Sequence, residues 1–139
     1  MSYQRDIRIE FNHCDPAGIV FFPRYFEMIN SMVENFFRDR LAHPFERITM
    51  EEGHGVPTVR LETDFRAPSY LGDLVRFTLE VAAVGRSSAD FRHQAHLGNE
   101  LRLEARQRIV WISAEGRAAP WPEGIRTRLQ QELEKENAT

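Results

Sequence analysis

The chain is poor in several things at once, and each shortage removes a class of protein. It holds a single cysteine, Cys14, in 139 residues. No intrachain disulfide framework and no multi-cysteine zinc site can form, and a reducing compartment is the simplest setting. Positive charge is not in excess: the formal net charge is -3 and the isoelectric point about 6.0. A nucleic-acid binder needs a concentrated positive field to neutralise phosphates, so that class is set aside. Of the 18 basic residues only Lys135 is a lysine; arginine's planar fork suits bidentate phosphate contacts, and a compositional bias explains the excess equally well. No run approaches the ~18 apolar residues of a membrane-spanning helix. The opening MSYQRDIRIEF alternates charged and apolar residues instead of presenting the apolar block of a signal peptide. The expectation is a cytoplasmic protein with no nucleic-acid or membrane partner. No serine stands in G-x-S-x-G, so a nucleophile-elbow hydrolase has no support.

What is present fits one domain spanning residues 1–139, with 42% hydrophobic and 28% charged residues and enough chain to bury a core. Alternation of Ile7, Ile9 and Phe11 with polar neighbours predicts a strand over residues 6–12. From Pro23, apolar residues recur at spacings of three and four through Tyr25, Phe26, Ile29, Met32, Val33, Phe36, Phe37 and Leu41. That spacing predicts one long helix with a wide apolar face, and proline suits its first turn. A partly helical connection over residues 43–55 leads to a second strand through Val59, Leu61 and Phe65 that Pro68 ends. Three more strands follow, over residues 73–84, 88–97 and 100–113, joined by short turns at Gly85-Arg86 and Gly98-Asn99 that make adjacent strands antiparallel. Residues 125–139 read as a charged surface helix. One long helix cannot cover its own apolar face, so the pattern predicts an α+β architecture: a curved antiparallel sheet of about five strands wrapped around that helix.

The chemically informative run is NHCDPAGIVFFPRY, residues 12–25. Asp15 falls between the end of a strand and the start of a helix. Backbone N–H groups at a helix N-terminus lack intrahelical partners and sit at the positive end of the dipole, so they can hold an oxyanion as it forms. With Pro16 and Gly18 bending the chain back, a substrate carbonyl fits between the Asp15 carboxylate and those donors. The competing reading makes Asp15 a turn or capping residue, because Asx residues before proline are common in turns.

This run resembles the active-site loop of hotdog-fold acyl-CoA thioesterases, above all the 4-hydroxybenzoyl-CoA thioesterase-like family. The matching residues are Asp15, Pro16-Ala17-Gly18-Ile19-Val20, the aromatic pair Phe21-Phe22, and Pro23 followed by Tyr25. Weaker similarity continues through Pro57, the segment from Phe65 to Asp73 with Ser69-Tyr70, and Gly85-Arg86-Ser87-Ser88 with Arg92-His93. The resemblance implies a hotdog fold and hydrolysis of an acyl-CoA thioester. Asp15 would attack the thioester carbonyl or activate a water, and the backbone N–H of Phe22 would polarise the carbonyl. It also implies substrate-binding roles for Gly18, Tyr25, Asn30, Arg86, Ser87 and Ser88. The last three sit on a turn where coenzyme A phosphates would lie, within reach of a guanidinium fork and hydroxyl donors. Asn30 stands where the 4-hydroxybenzoyl enzyme has an acidic residue near the ring hydroxyl, which widens the acyl group to benzoyl, another aryl or a small acyl.

No cofactor and no metal is implied, coenzyme A being part of the substrate. His93 and His96 have an odd separation that places them on opposite faces of a strand and disfavours a metal pair. His13 and His54 are expected nearer Asp15, where either could hydrogen-bond its carboxylate or a water. Cys14 alternates away from Asp15 and reads as a packed side chain. An open antiparallel sheet with exposed edges implies a homo-oligomer, a dimer or tetramer with its site at the subunit interface. Two other functions suit the same scaffold: an acyl-CoA hydratase or dehydratase, whose histidine-partnered signature is not found here, and a non-catalytic acyl-CoA-binding module, which has no use for a carboxylate aimed at a carbonyl.

Overall fold

A computed structural model describes residues 2–138; Met1 and Thr139, the ends of the expected domain and of its C-terminal helix, lie outside the described residues. The helix that begins at Pro23 organises everything else. This helix, α1 (Pro23–Asp39), carries proline in its first turn, where the missing N–H costs no intrahelical bond. Tyr25, Met28, Ile29, Met32, Val33, Phe36 and Phe37 form its buried face, at the three- and four-residue spacing that keeps side chains on one stripe. It stops where Ala42 turns into the left-handed region (φ 54°) and Pro44 prevents continuation.

That stripe is covered by one five-stranded antiparallel sheet: β1 (Tyr3–Arg8), β2 (Thr58–Phe65), β3 (Leu74–Val84), β4 (Ser88–Leu97) and β5 (Glu100–Val110). The spatial order is β1-β3-β4-β5-β2. The period of two holds well in the central strands: Val75, Phe77, Leu79 and Val81 of β3 are buried, as are Ala89, Phe91, His93 and Ala95 of β4. Their ring and aliphatic surfaces close on Phe36 and Phe37, with Phe36 and Phe91 edge-to-face at 5.6 Å between centroids. Burying such side chains is the main source of stability, roughly 1.5–3 kcal/mol for each large apolar group. α2 (Glu123–Asn137) packs along β3 through Ile125 and Leu129. Its Glu132 is also buried, paired at 3.1 Å with Arg40 from the end of α1, so the helix is less a pure surface element than its charge suggests.

One expectation needs correction. The first strand ends at Arg8, not at residue 12, and residues Phe11–His13 form a 3-10 turn. Phe11 therefore swings into solvent, 84% exposed, instead of continuing the alternation. β2, whose partner the sequence leaves open, lies at the far edge and pairs with β5, Leu61 opposite Gln107 and Phe65 opposite Leu103.

A polar chain runs through the core. His93 Nε2 and Gln107 Oε1 are 2.7 Å apart, and Gln107 Nε2 donates to Thr58 Oγ1 at 2.9 Å. Burial pushes the His93 imidazole down from 6.5 to about 4, against a smaller upward pull from Gln107. Between those values the unfolded chain binds a proton that the folded chain refuses, so stability falls as pH falls from about 6.5 to 4 and this contribution changes no further below it. The loss amounts to about 3 kcal/mol over the window. Urea midpoints measured across that pH range are expected to drop for the wild type and to drop less for His93→Leu, which has nothing to titrate there.

Candidate active site

Residues 13–21 fold into a small hairpin with Asp15 at its tip. Phe21 N–H donates to His13 O at 2.9 Å, Cys14 bridges Val20, and Asp15 N–H donates to Ile19 O at 3.0 Å. The tip is a β-turn in which Gly18 N–H donates to Asp15 O, Pro16 supplies the pre-set φ, and Gly18 takes φ +78°. The Asp15 side chain closes the turn, its Oδ1 accepting from Ala17 N–H at 2.9 Å. Asp15 is thus a turn residue in the Asx sense. That role engages one carboxylate oxygen and fixes where the half-buried group sits.

Immediately after the hairpin comes Phe22, the N-cap of α1. Its carbonyl accepts from Tyr25 N–H at 3.1 Å, whereas its own N–H meets no acceptor among the described residues. Pro23 has no N–H to offer. The hairpin therefore delivers one unpaired donor at the positive end of a 17-residue helix, a few residues along the chain from a fixed carboxylate.

The walls beside this donor are aromatic. The Phe65 ring, at the end of β2, lies 6.1 Å from Phe22, 5.8 Å from Tyr25 and 6.3 Å from Phe26. Val20, Phe22, Tyr25, Phe65 and residues 66–68 line a cavity of about 290 Å³. Tyr25 is only 4% exposed, and its hydroxyl has no hydrogen-bond partner among the described residues. Asn30 is exposed one helical turn beyond Phe26, on the same side of α1.

The remaining expected site residues lie elsewhere in the chain. Arg86, Ser87 and Ser88 occupy the β3–β4 turn, whose backbone is tied to Trp111 and Trp121: Trp111 N–H donates to Ser87 O, Trp121 N–H to Arg86 O and Trp121 Nε1 to Ser88 O. Asp15 belongs to the opposite end, where Ile9 N–H donates to Asp73 O at the foot of β3. The eleven residues of β3 separate the two ends by roughly 30 Å at ~3.3 Å per residue. Within one chain these residues do not meet. His54 is likewise at the far end, stacked on Trp111 at 4.9 Å and bonded to Ile112 O. The His13 ring is engaged by Glu10 N–H at 2.8 Å. Neither histidine partners Asp15. His93 faces the core and His96 is half-buried, and Cys14 is half-buried with Sγ 3.5 Å from Glu10 O.

A family model described as the thioesterase-like superfamily matches residues 9–129. The chain belongs to that superfamily. Its hotdog architecture is the one expected, and the relatives carry names from the expected reaction class. A 4-hydroxybenzoyl-CoA thioesterase of Pseudomonas sp. is 32% identical over 87 residues, 62% of this chain and 62% of that protein, so the match spans less than two thirds of the relative's length. A 1,4-dihydroxy-2-naphthoyl-CoA hydrolase of Synechococcus elongatus is 26% identical across 93% of this chain and 96% of that protein. Among solved structures, a 4-hydroxybenzoyl CoA thioesterase mutant complexed with 4-hydroxybenzoyl CoA superposes with a TM-score of 0.80 at 26% identity, covering 89% of this chain and 95% of the other.

Sequence patterning alone does not show that Phe65 lines this cavity. It reads as one apolar position of a strand, and the place of β2 at the sheet edge brings its ring against Phe22, Tyr25 and Phe26. The left-handed Gly18 gives a direct check. A Cβ there meets nothing within 4 Å, so Gly18→Ala should lose only the backbone cost, about 1 kcal/mol, read as a lower urea midpoint.

Proposed function

We propose that the protein hydrolyses an acyl-CoA thioester carrying an aryl or other small acyl group. The observation that carries this reading is the unpaired Phe22 N–H at the start of α1, placed by the same hairpin that fixes Asp15. A thioester carbonyl seated against that donor gains stabilisation as its oxygen takes on negative charge. The Asp15 carboxylate then either attacks the carbonyl carbon or takes a proton from the attacking water. When the tetrahedral species collapses, the C–S bond breaks and the coenzyme A thiolate leaves; being a stable anion, it needs no strong general acid. Where Asp15 has attacked, a water then hydrolyses the acyl-aspartate anhydride, releasing the acid and restoring the carboxylate. The aromatic cavity of about 290 Å³ beside the donor suits a flat or short acyl group. Named relatives that act on hydroxyaryl thioesters support that choice.

The reading includes a homo-oligomer. β2 has a partner on one side only, and Val59 and Phe65 along it are about half exposed, so its free edge can pair with a second copy. Antiparallel pairing of two β2 edges would set the Thr58 end of one chain against the Phe65 end of the other. The β3–β4 turn of one subunit, with Arg86, Ser87 and Ser88, would then share an end with the other's Asp15. That arrangement reconciles the roughly 30 Å separation within a chain with a coenzyme A long enough to touch both. No cofactor is needed, and a cytoplasmic setting would keep Cys14 reduced. Among the described residues no helix is long and apolar enough to cross a membrane.

Thiol release from benzoyl-, hydroxybenzoyl-, phenylacetyl- and aliphatic-CoA tests the reaction. Asp15→Asn should lower turnover by about 10²–10⁴ with folding intact, while Phe22→Leu should leave kcat near wild type because only the backbone acts. Undiminished hydrolysis by Asp15→Asn would discard the mechanism. Val59→Lys, which places a charge on the free edge, should yield a smaller species by light scattering together with lost hydrolysis; an active monomer would exclude a shared site.

A further inference from the structure

Arg102 breaks the alternation of β5. Its neighbours Leu103, Ala105, Gln107 and Ile109 face the core, so Arg102 belongs on the opposite face and should be exposed. It is 7% exposed, because residues 66–73 fold over it as a strap between β2 and β3. The strap is pinned to Arg102 from both sides. Its N–H groups at Arg66 and Ala67 donate to Arg102 O at 2.9 and 3.2 Å. The guanidinium Nη1 donates to Pro68 O at 2.9 Å, to Ser69 Oγ at 3.2 Å and to Asp73 Oδ2 at 3.1 Å. Nε lies 2.6 Å from Glu100 Oε1, an ion pair without hydrogen-bond alignment. Ser69 is fully buried, and Asp73 Oδ2 also accepts from Tyr70 N–H.

The other side of the strap carries the Asp15 hairpin. Val20 N–H donates to Ser69 O at 2.9 Å, Leu71 N–H donates to Gly18 O at 3.0 Å, and Ile19 bridges Tyr70. Every backbone bond here that docks the hairpin on the sheet end ends on a residue within two positions of one that Arg102 touches. The hairpin in turn sets both the Asp15 turn and the Phe22 N–H. A second strand side chain reaches only the end of the strap: Arg8 Nη1 donates to Gly72 O at 2.8 Å.

We propose that Arg102 is a positioning residue for the reaction: its buried guanidinium holds the strap, and the strap holds the carboxylate and the oxyanion donor in register. This rests on the catalytic reading of Asp15 and Phe22 given above. Three acceptors converge on Nη1 while Nε faces Glu100; an ammonium can replace the first set but cannot also face Glu100, so lysine should restore only part of the arrangement. Misplacement of about 1 Å at a reacting group is enough to cost about 100-fold in rate.

The test compares wild type, Arg102→Lys and Arg102→Ala, with Asp15→Asn as reference, at a temperature where circular dichroism shows each fully folded. Benzoyl-CoA and 4-hydroxybenzoyl-CoA hydrolysis gives kcat and KM, and hydrogen exchange is followed at the Val20 and Leu71 amides. In Arg102→Ala, kcat should fall about 100-fold with KM little changed, the two amides should exchange faster, and added guanidinium ion should reverse both effects. Arg102→Lys should recover only part of the rate. Should Arg102→Ala fail to fold, Arg102→Leu combined with Asp73→Asn leaves no charge buried and is expected to behave in the same way. A folded variant with wild-type kcat and slow exchange at both amides overturns the proposal, as does a fall in thermal stability alone with turnover per folded molecule unchanged. Full activity in Asp15→Asn overturns the catalytic reading instead, and the exchange rates then still decide whether Arg102 orders the two loops.

Discussion

The burial of one face of α1 beneath the sheet constrains everything else in the molecule. Met32, Phe36 and Phe37 are essentially inaccessible, held against Phe77, Leu79 and Phe91 of the central strands. A close-packed interior of this kind leaves the helix no freedom to slide or roll. Its N-terminus is consequently a fixed point at the end of the sheet where β1 finishes and β3 begins. The hairpin that carries Asp15 has to bridge from the end of β1 to that fixed point, and the short route through Pro16 and Gly18 leaves few conformations open to it. The chemistry proposed for the site thus inherits its geometry from hydrophobic packing on the far side of the helix.

How much of this was legible in the sequence follows from the range of the interactions involved. Elements whose signature is local were readable: the spacing of apolar residues from Pro23 to Leu41 marks α1, and the alternation through Val75, Phe77, Leu79 and Val81 marks β3. The hairpin turns at Gly85 and Gly98 were readable for the same reason. The turn at Asp15 was readable because its neighbours Pro16, Gly18 and Pro23 encode the turn and the helix start directly, whereas a catalytic part for Asp15 came from the family resemblance. What could not be read depends on which strand lies beside which. Nothing in the alternation of β2 names β5 as its partner, so the meeting of Phe65 with Phe22 and Tyr25 had no local sign. The same is true of Arg86 and His54, which stand near Asp15 in no linear sense and lie at the opposite end of the sheet. Arg102 is the sharpest case: by parity it belongs in solvent, and only the strap folded over it makes it a buried group.

The two faces of the sheet divide the labour. The inner face is mostly apolar; its polar members include the His93-Gln107-Thr58 chain, Thr63, and Arg5 at the β1 edge, which donates to Ser31 of α1. The outer face is laced with exposed ion pairs such as Asp90 with Arg108 and Arg66 with Glu104. Pairs of this kind contribute little stability individually, and the register also sets like charges opposite one another, Arg92 with Arg106, Arg60 with Arg108 and Asp64 with Glu104, so the buried inner face, not charge pairing, fixes it.

The two groups proposed to act on the thioester differ in how much they depend on side-chain identity. The oxyanion donor belongs to the backbone, and the ring attached to it, Phe22, is 55% exposed and contributes only a wall. Phe65 is a second such wall, brought in from another strand. Substitutions at these positions would reshape the cavity without touching the donor or the turn that holds the carboxylate. A scaffold wired in this way can change its diet over evolutionary time while its reaction stays the same, so kinship in this fold is a better guide to the bond that is broken than to the acid that is released.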